Sequence, residues 1–119
     1  MGKISQEKTI KAKIQSYVLT CFEAYEEEKD LFTYLIVSEH RELRNFPSTY
    51  IHPGHVALKM IEEGQKSGEL RSMEVYVAGS ILLGSIIRMC LARMYGNITQ
   101  KSNHFAPELA ESVWRAIKR

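Results

Sequence analysis

The sequence predicts an all-α fold, a five-helix bundle in one domain spanning residues 1–119, on three observations. Apolar residues recur at three- and four-residue spacing over long stretches, the period of helices that bury one face. Glycine and proline stand mostly where those stretches end. No stretch reads as a convincing strand, and no internal repeat is present.

The first helix is expected from about Gln6 to Glu28, with Ile10, Ile14, Tyr17, Val18, Cys21, Phe22 and Tyr25 on one stripe. The run Glu26–Glu28 reads as solvated surface. Asp30 can cap a second helix carrying Leu31, Phe32, Leu35 and Ile36, which stops at Phe46 because Pro47 disfavours helical backbone before it. The segment "PSTYIHPG" reads as a loop. A third helix begins at Pro53, where a missing amide donor costs nothing, and buries Val56, Ala57, Met60, Ile61 and Gly64. Ser67–Gly68 closes it, since glycine takes the left-handed conformation without steric penalty. Ser72 offers an N-cap to a fourth helix, with Glu74 near its positive end; that helix runs to Tyr95 and stops at Gly96–Asn97. The fifth starts around Pro107 and carries Leu109, Val113, Trp114 and Ile117.

The fourth helix is apolar on nearly every side. Val77, Ile81, Gly84, Ile87, Leu91 and Tyr95 fall on one face, and Val75, Gly79, Leu82, Ile86, Met89 and Cys90 on the other. A helix without a wet face is buried all round, and four companions in a small domain cover one broad side. The economical partner is a second copy, with the fourth and fifth helices forming an intermolecular four-helix bundle; the alternative is a monomer with the fourth helix as its central core helix. The residues assigned to that homodimer interface are Val77, Ser80, Gly84, Ile87, Leu91, Leu109, Val113 and Ile117. Interior glycine costs up to about 1 kcal/mol relative to alanine, so Gly79 and Gly84 imply close backbone approach.

Composition narrows the function. The chain is 45% hydrophobic and 25% charged, as soluble globular proteins are, and its formal charge of +2 is too small to argue for nucleic acid or a membrane surface. Lys3, Lys8, Lys11 and Lys13 cluster, but Glu7 dilutes them and no aromatic residue is interleaved. Cys21 and Cys90 read as buried free thiols rather than a disulfide framework. No signal-peptide core opens the chain, and the apolar run Val75–Ile87 ends at Arg88, short of the roughly 20 residues of a membrane span. A cytoplasmic protein with no membrane partner is expected. His52 and His55, with His40 or Glu39, could in principle hold a metal, but proline interrupts the pair and no second motif joins it. No metal and no cofactor are expected. No nucleophile elbow, HExxH or phosphate loop occurs, so no catalytic residues are assigned and the protein is expected not to be an enzyme.

Three segments together, "ALKMIEEGQKSGELR", "VYVAGSILLGSIIRM" and "ELAESVWRAIKR", resemble the C-terminal half of tetracycline-repressor-like (TetR-family) transcription regulators. A helix closing in a G-x-x-x-G-E turn and followed by a long glycine-bearing helix is represented by Gly64, Gly68, Glu69 and Gly84. "LIVSEHRELRNF" resembles the helix that commonly precedes them, and the similarity extends over Glu7 to Arg119. The DNA-binding head of that family, with its helix-turn-helix, has no counterpart here, so DNA would be reached only through a head absent from this chain.

The resemblance implies a homodimer that senses a small hydrophobic or amphiphilic effector inside the bundle. Spacing alone reads the inward aromatic and sulfur side chains, Phe22 and Met89 among them, as plain core. The resemblance makes Tyr17, Cys21, Tyr25, Met60, Tyr76 and Leu83 candidate ligand-binding residues. The alternative is a helical homodimerisation or interaction module with no ligand.

Overall fold

The structure, a computed structural model, describes residues 9–30 and 53–119. The second expected helix and the "PSTYIHPG" loop up to His52 lie outside them, as do His40 and Glu39. Four helices are described: α1 (Ile10–Glu27), α2 (Pro53–Ser67), a long α3 running from Val75 to Met94, and α4 (Ala106–Ile117), preceded by a 3-10 turn at Ser102–Phe105. No strand occurs among the described residues; a single antiparallel bridge joins Leu70 to Lys118. The all-α class thus holds.

Helix α1 begins where Thr9 stops being helical and its hydroxyl accepts from the Ala12 amide at 3.1 Å. Its stripe of Ile10, Ile14, Tyr17, Val18, Cys21, Phe22 and Tyr25 is buried, matching the expected list. α1 packs chiefly on α4, and also on α2 and the second half of α3. From α4 it meets Ala106, Ala110, Val113 and Ile117, which are buried at the helix's own three- and four-residue period.

The turn between α2 and α3 ties three parts of the chain together. Gly68 adopts φ +84°, the left-handed conformation that ends α2. Leu70 folds back onto Gly64, where a β-carbon would stand only 2.6 Å from the Leu70 side chain. Glu69 Oε2 accepts the Ile10 amide at 3.0 Å, filling a donor that the first turn of α1 leaves open. The far end of α4 is met by the same turn. Arg71 donates its amide to Ile117 O at 2.9 Å and its Nε to Ala116 O at 3.1 Å, and Arg119 N reaches Glu69 O at 3.1 Å.

α3 departs from expectation in two ways. It starts at Val75, and its cap is Glu74, whose carboxylate accepts from the Tyr76 amide at 3.3 Å; Ser72 is not the cap. It is also not one uniform α-helix, because Ser80–Gly84 form a π-helical turn between α-helical ends. The helix closes before Gly96, which has φ +78°.

The far end of α1 is fixed by a carboxylate. Glu26 accepts from Ser102 N and from Ser102 Oγ, both at 2.9 Å, and lies 3.4 Å from Arg93 Nε. Its side chain is only 10% exposed, so the reading of Glu26 as solvated surface is corrected, whereas Glu27 and Glu28 are exposed. At the beginning of α1, Lys11 and Lys13 lie 3.7 and 3.2 Å from Glu111 and Glu63.

Candidate functional site

α3 turns one face inward and leaves the other open. Ala78, Gly79, Leu82, Ile86 and Cys90 are buried, and Gly79, Leu82, Ile86 and Cys90 belong to one of the two faces sorted from the sequence. On the opposite side Tyr76 is 66% exposed, Val77 51%, Met94 40% and Tyr95 67%. Ser80, Gly84 and Arg88 are exposed between them, while Ile81, Ile87 and Leu91 are half-buried. The Val75–Met94 stretch is 20 residues long, with mean hydropathy 1.8 in its most apolar window, of which 22% is buried. By length and composition alone it reaches what a membrane span requires, which corrects the shorter estimate from the apolar run.

The two glycines of α3 serve different ends. A β-carbon at Gly79 would stand 3.0 Å from Leu58 Cδ2, so Gly79 lets α2 lie close against α3. At Gly84 nothing lies within 4 Å of that position. Between these points a groove of about 340 Å³ opens on the surface. Gly54, His55, Ala57 and Leu58 of α2 form one wall, and Tyr76, Gly79, Ser80, Leu83, Gly84 and Ile87 of α3 the other. No Asp, Glu, Lys or Arg lines it among the described residues.

The π turn forms part of this second wall, and π turns inside α-helices are frequent at functional sites. Two serines hold its edges: Ser80 Oγ donates to Tyr76 O at 2.7 Å and Ser85 Oγ to Leu82 O at 2.9 Å.

The expected ligand-binding residues are not brought together. Tyr17, Cys21 and Met60 are buried in the packed core, at 0%, 5% and 4% exposure. Only Tyr76 and Leu83 line the groove. Tyr25, itself 1% exposed, borders a separate cavity of about 450 Å³ with Lys29, Asp30, Arg93 and Met94. Burial pushes the thiols of Cys21 and Cys90 up to about 12, with a hydrogen bond to Tyr17 opposing the rise at Cys21. Such thiols stay protonated and unreactive at neutral pH.

The expected interface residues also divide. Val77, Ser80 and Gly84 are exposed, and Ile87, Leu91 and Leu109 are half-buried. Val113 and Ile117 are corrected: at 3% and 0% exposure they face the core and are closed to a partner. The stripe of α4 that looked free in sequence is the one α1 covers.

The residues that sequence reasoning missed are Gly54, Leu58 and Ala57 of the α2 wall, of which Ala57 had been read only as core. Gly79 carried a legible signal, since an interior glycine implied a close neighbour; which neighbour depended on where α2 lies. Among the described residues no group of three His, Cys, Asp or Glu side chains is placed to hold a metal, and His55 is exposed. No protein-family model, no curated protein and no solved structure matches the chain.

Proposed function

We propose that this chain is the effector-binding and dimerisation module of a tetracycline-repressor-like transcription regulator, acting by binding rather than by catalysis in the cytoplasm. The observation that carries the reading is the open apolar face of α3, with Tyr76 and Val77 at one end and Met94 and Tyr95 at the other. Large apolar side chains exposed together on one helix mark an interaction surface.

A second copy is the occupant that fits best. The Ser85–Ile86 step lies midway between the two apolar ends, so a two-fold axis there sets each end of one helix against the opposite end of the other. Gly84, beside that midpoint, has open space in front of it, which allows close crossing. A lipid occupant fits less well, because Arg88 is exposed on this face and an ionised side chain at bilayer depth is expensive.

The groove beside this face receives the effector, and its wall includes Tyr76, Ser80 and Gly84 of the exposed face. Ligand therefore favours one arrangement of the paired helices over another, shifting a pre-existing equilibrium. DNA is contacted only through a separate head.

Light scattering at micromolar concentration tests the self-association, with a dimer expected; a clean mass of 13.7 kDa at every concentration overturns it. A thermal-shift screen of apolar small molecules tests the effector half. A bound ligand raises stability by about 2.7 kcal/mol at a hundredfold excess over Kd.

A further inference from the structure

We infer that the groove between α2 and α3 binds one small, uncharged, mostly apolar molecule that donates a hydrogen bond to Ser80 Oγ. The inference deepens the effector half of the proposed function and rests on it. Three observations define the ligand class.

The first is charge. Among the described residues the lining holds no Asp, Glu, Lys or Arg, so an ionised ligand would lose its hydration with no carboxylate, ammonium or guanidinium there to pair with, His55 being the lining's imidazole. The second is size. A groove of about 340 Å³ lies in the range of small-molecule sites and is too small for a folded partner. Ala57, Leu58, Leu83 and Ile87 supply apolar surface, and Tyr76, two-thirds exposed, adds an aromatic side chain to the lining.

The third observation fixes orientation. The Ser80 hydroxyl spends its proton on Tyr76 O, at 2.7 Å, so its oxygen remains in the lining as an acceptor. That bond holds the hydroxyl in place before any ligand arrives. A ligand with a hydroxyl or amide N–H at one end of an apolar body matches this arrangement, whereas a pure hydrocarbon leaves the oxygen without a donor.

The probes are naphthol, naphthalene and naphthoate, which share one ring system and differ in donor and charge. Fluorescence titration of the full chain should show saturable naphthol binding, with naphthalene about three- to tenfold weaker, the worth of one neutral hydrogen bond. Naphthoate should bind more weakly than naphthol. Ser80→Ala should reduce naphthol affinity to that of naphthalene and leave naphthalene unchanged. Gly84→Leu, whose side chain enters open space, should weaken both neutral probes while the protein remains folded by circular dichroism.

Equal naphthol affinity in wild type and Ser80→Ala, or equal affinity for naphthol and naphthalene, overturns the inference. Naphthoate binding tightest overturns it too, while leaving the chain an effector binder. Failure of these probes together with an empty thermal-shift screen removes both readings.

Discussion

Glu69 joins two helices and a turn through one carboxylate. Oε2 caps the Ile10 amide of α1, and Oε1 accepts from Ser67 Oγ at the end of α2. Glu69→Ala strands the Ile10 donor, and loss of such a cap costs about 1 kcal/mol. The variant should melt a few degrees below wild type, while Glu69→Gln, which keeps an acceptor, should lose less; calorimetry on the pair is the check. Glu26 acts at the opposite end of α1 and answers to pH. Burial by itself would raise its carboxyl, but hydrogen bonds from Ser102 N and Oγ and the Arg93 side chain outweigh it and hold the group below the usual carboxylate range. A depressed folded value contributes stability above the unfolded value, about pH 4.3, and that contribution is lost as pH falls through the folded one. Glu26→Gln should therefore be less stable at neutral pH and show a shallower fall in melting temperature below about pH 4.3. Equal slopes in the two proteins would show that this carboxylate does not govern acid sensitivity. Neither role was legible in the sequence, because Glu26 sits in a row of three glutamates and its partner Ser102 lies 76 residues away.

Helix-scale features were legible to the extent that they were local. The period of α1 named its whole buried stripe, Pro53 and Gly68 bracketed α2, and Gly96 marked the end of α3. The sorting of α3 into two faces also held, but which face was covered by this chain could only come from tertiary packing. The π turn at Ser80–Gly84 left no sequence mark, since it is a change of hydrogen-bond register within residues that all look helical. The glycines on either side of it give a paired prediction. Gly84 has ordinary helical angles, φ −61° and ψ −40°, and open space around it, so Gly84→Ala should stabilise the monomeric fold by up to about 1 kcal/mol. Gly79→Ala gains the same propensity but sets its β-carbon 3.0 Å from Leu58 Cδ2, which must give way. The expected order of melting temperature in dilute samples is Gly84→Ala highest, with Gly79→Ala well below it. A reversed order would mean that α2 does not press on Gly79.

At the scale of the whole molecule, the open face of α3 is the surface on which the proposed dimer rests. Its inward face and all of the buried stripes of α1 and α4 are satisfied within the chain, and Val113 and Ile117 are already spent there. In the proposed dimer the partner would be received on α3 itself, along Val77, Ser80, Gly84 and Leu91, rather than across a shared seam with the buried side of α4. An antiparallel crossing near Gly84 makes a specific geometric demand. Residues 76 and 95 of one helix are about 28 Å apart at 1.5 Å per residue, so they cannot touch within one chain. Across a two-fold axis at the Ser85–Ile86 step, position 76 of one copy comes beside position 95 of the other. A disulfide requires α-carbons within about 7 Å. The double variant Tyr76→Cys, Tyr95→Cys should accordingly form a covalent dimer under mild oxidation, and each single variant should form little. Cys21 and Cys90 are buried and should not compete. Adding Gly84→Leu, which wedges the crossing apart, should slow the cross-link, since overpacking of this kind costs about 1–3 kcal/mol. Efficient cross-linking of a single variant would place a different pairing on the axis, and no cross-link in the double variant at concentrations where light scattering reports a dimer would move the interface off this face of α3.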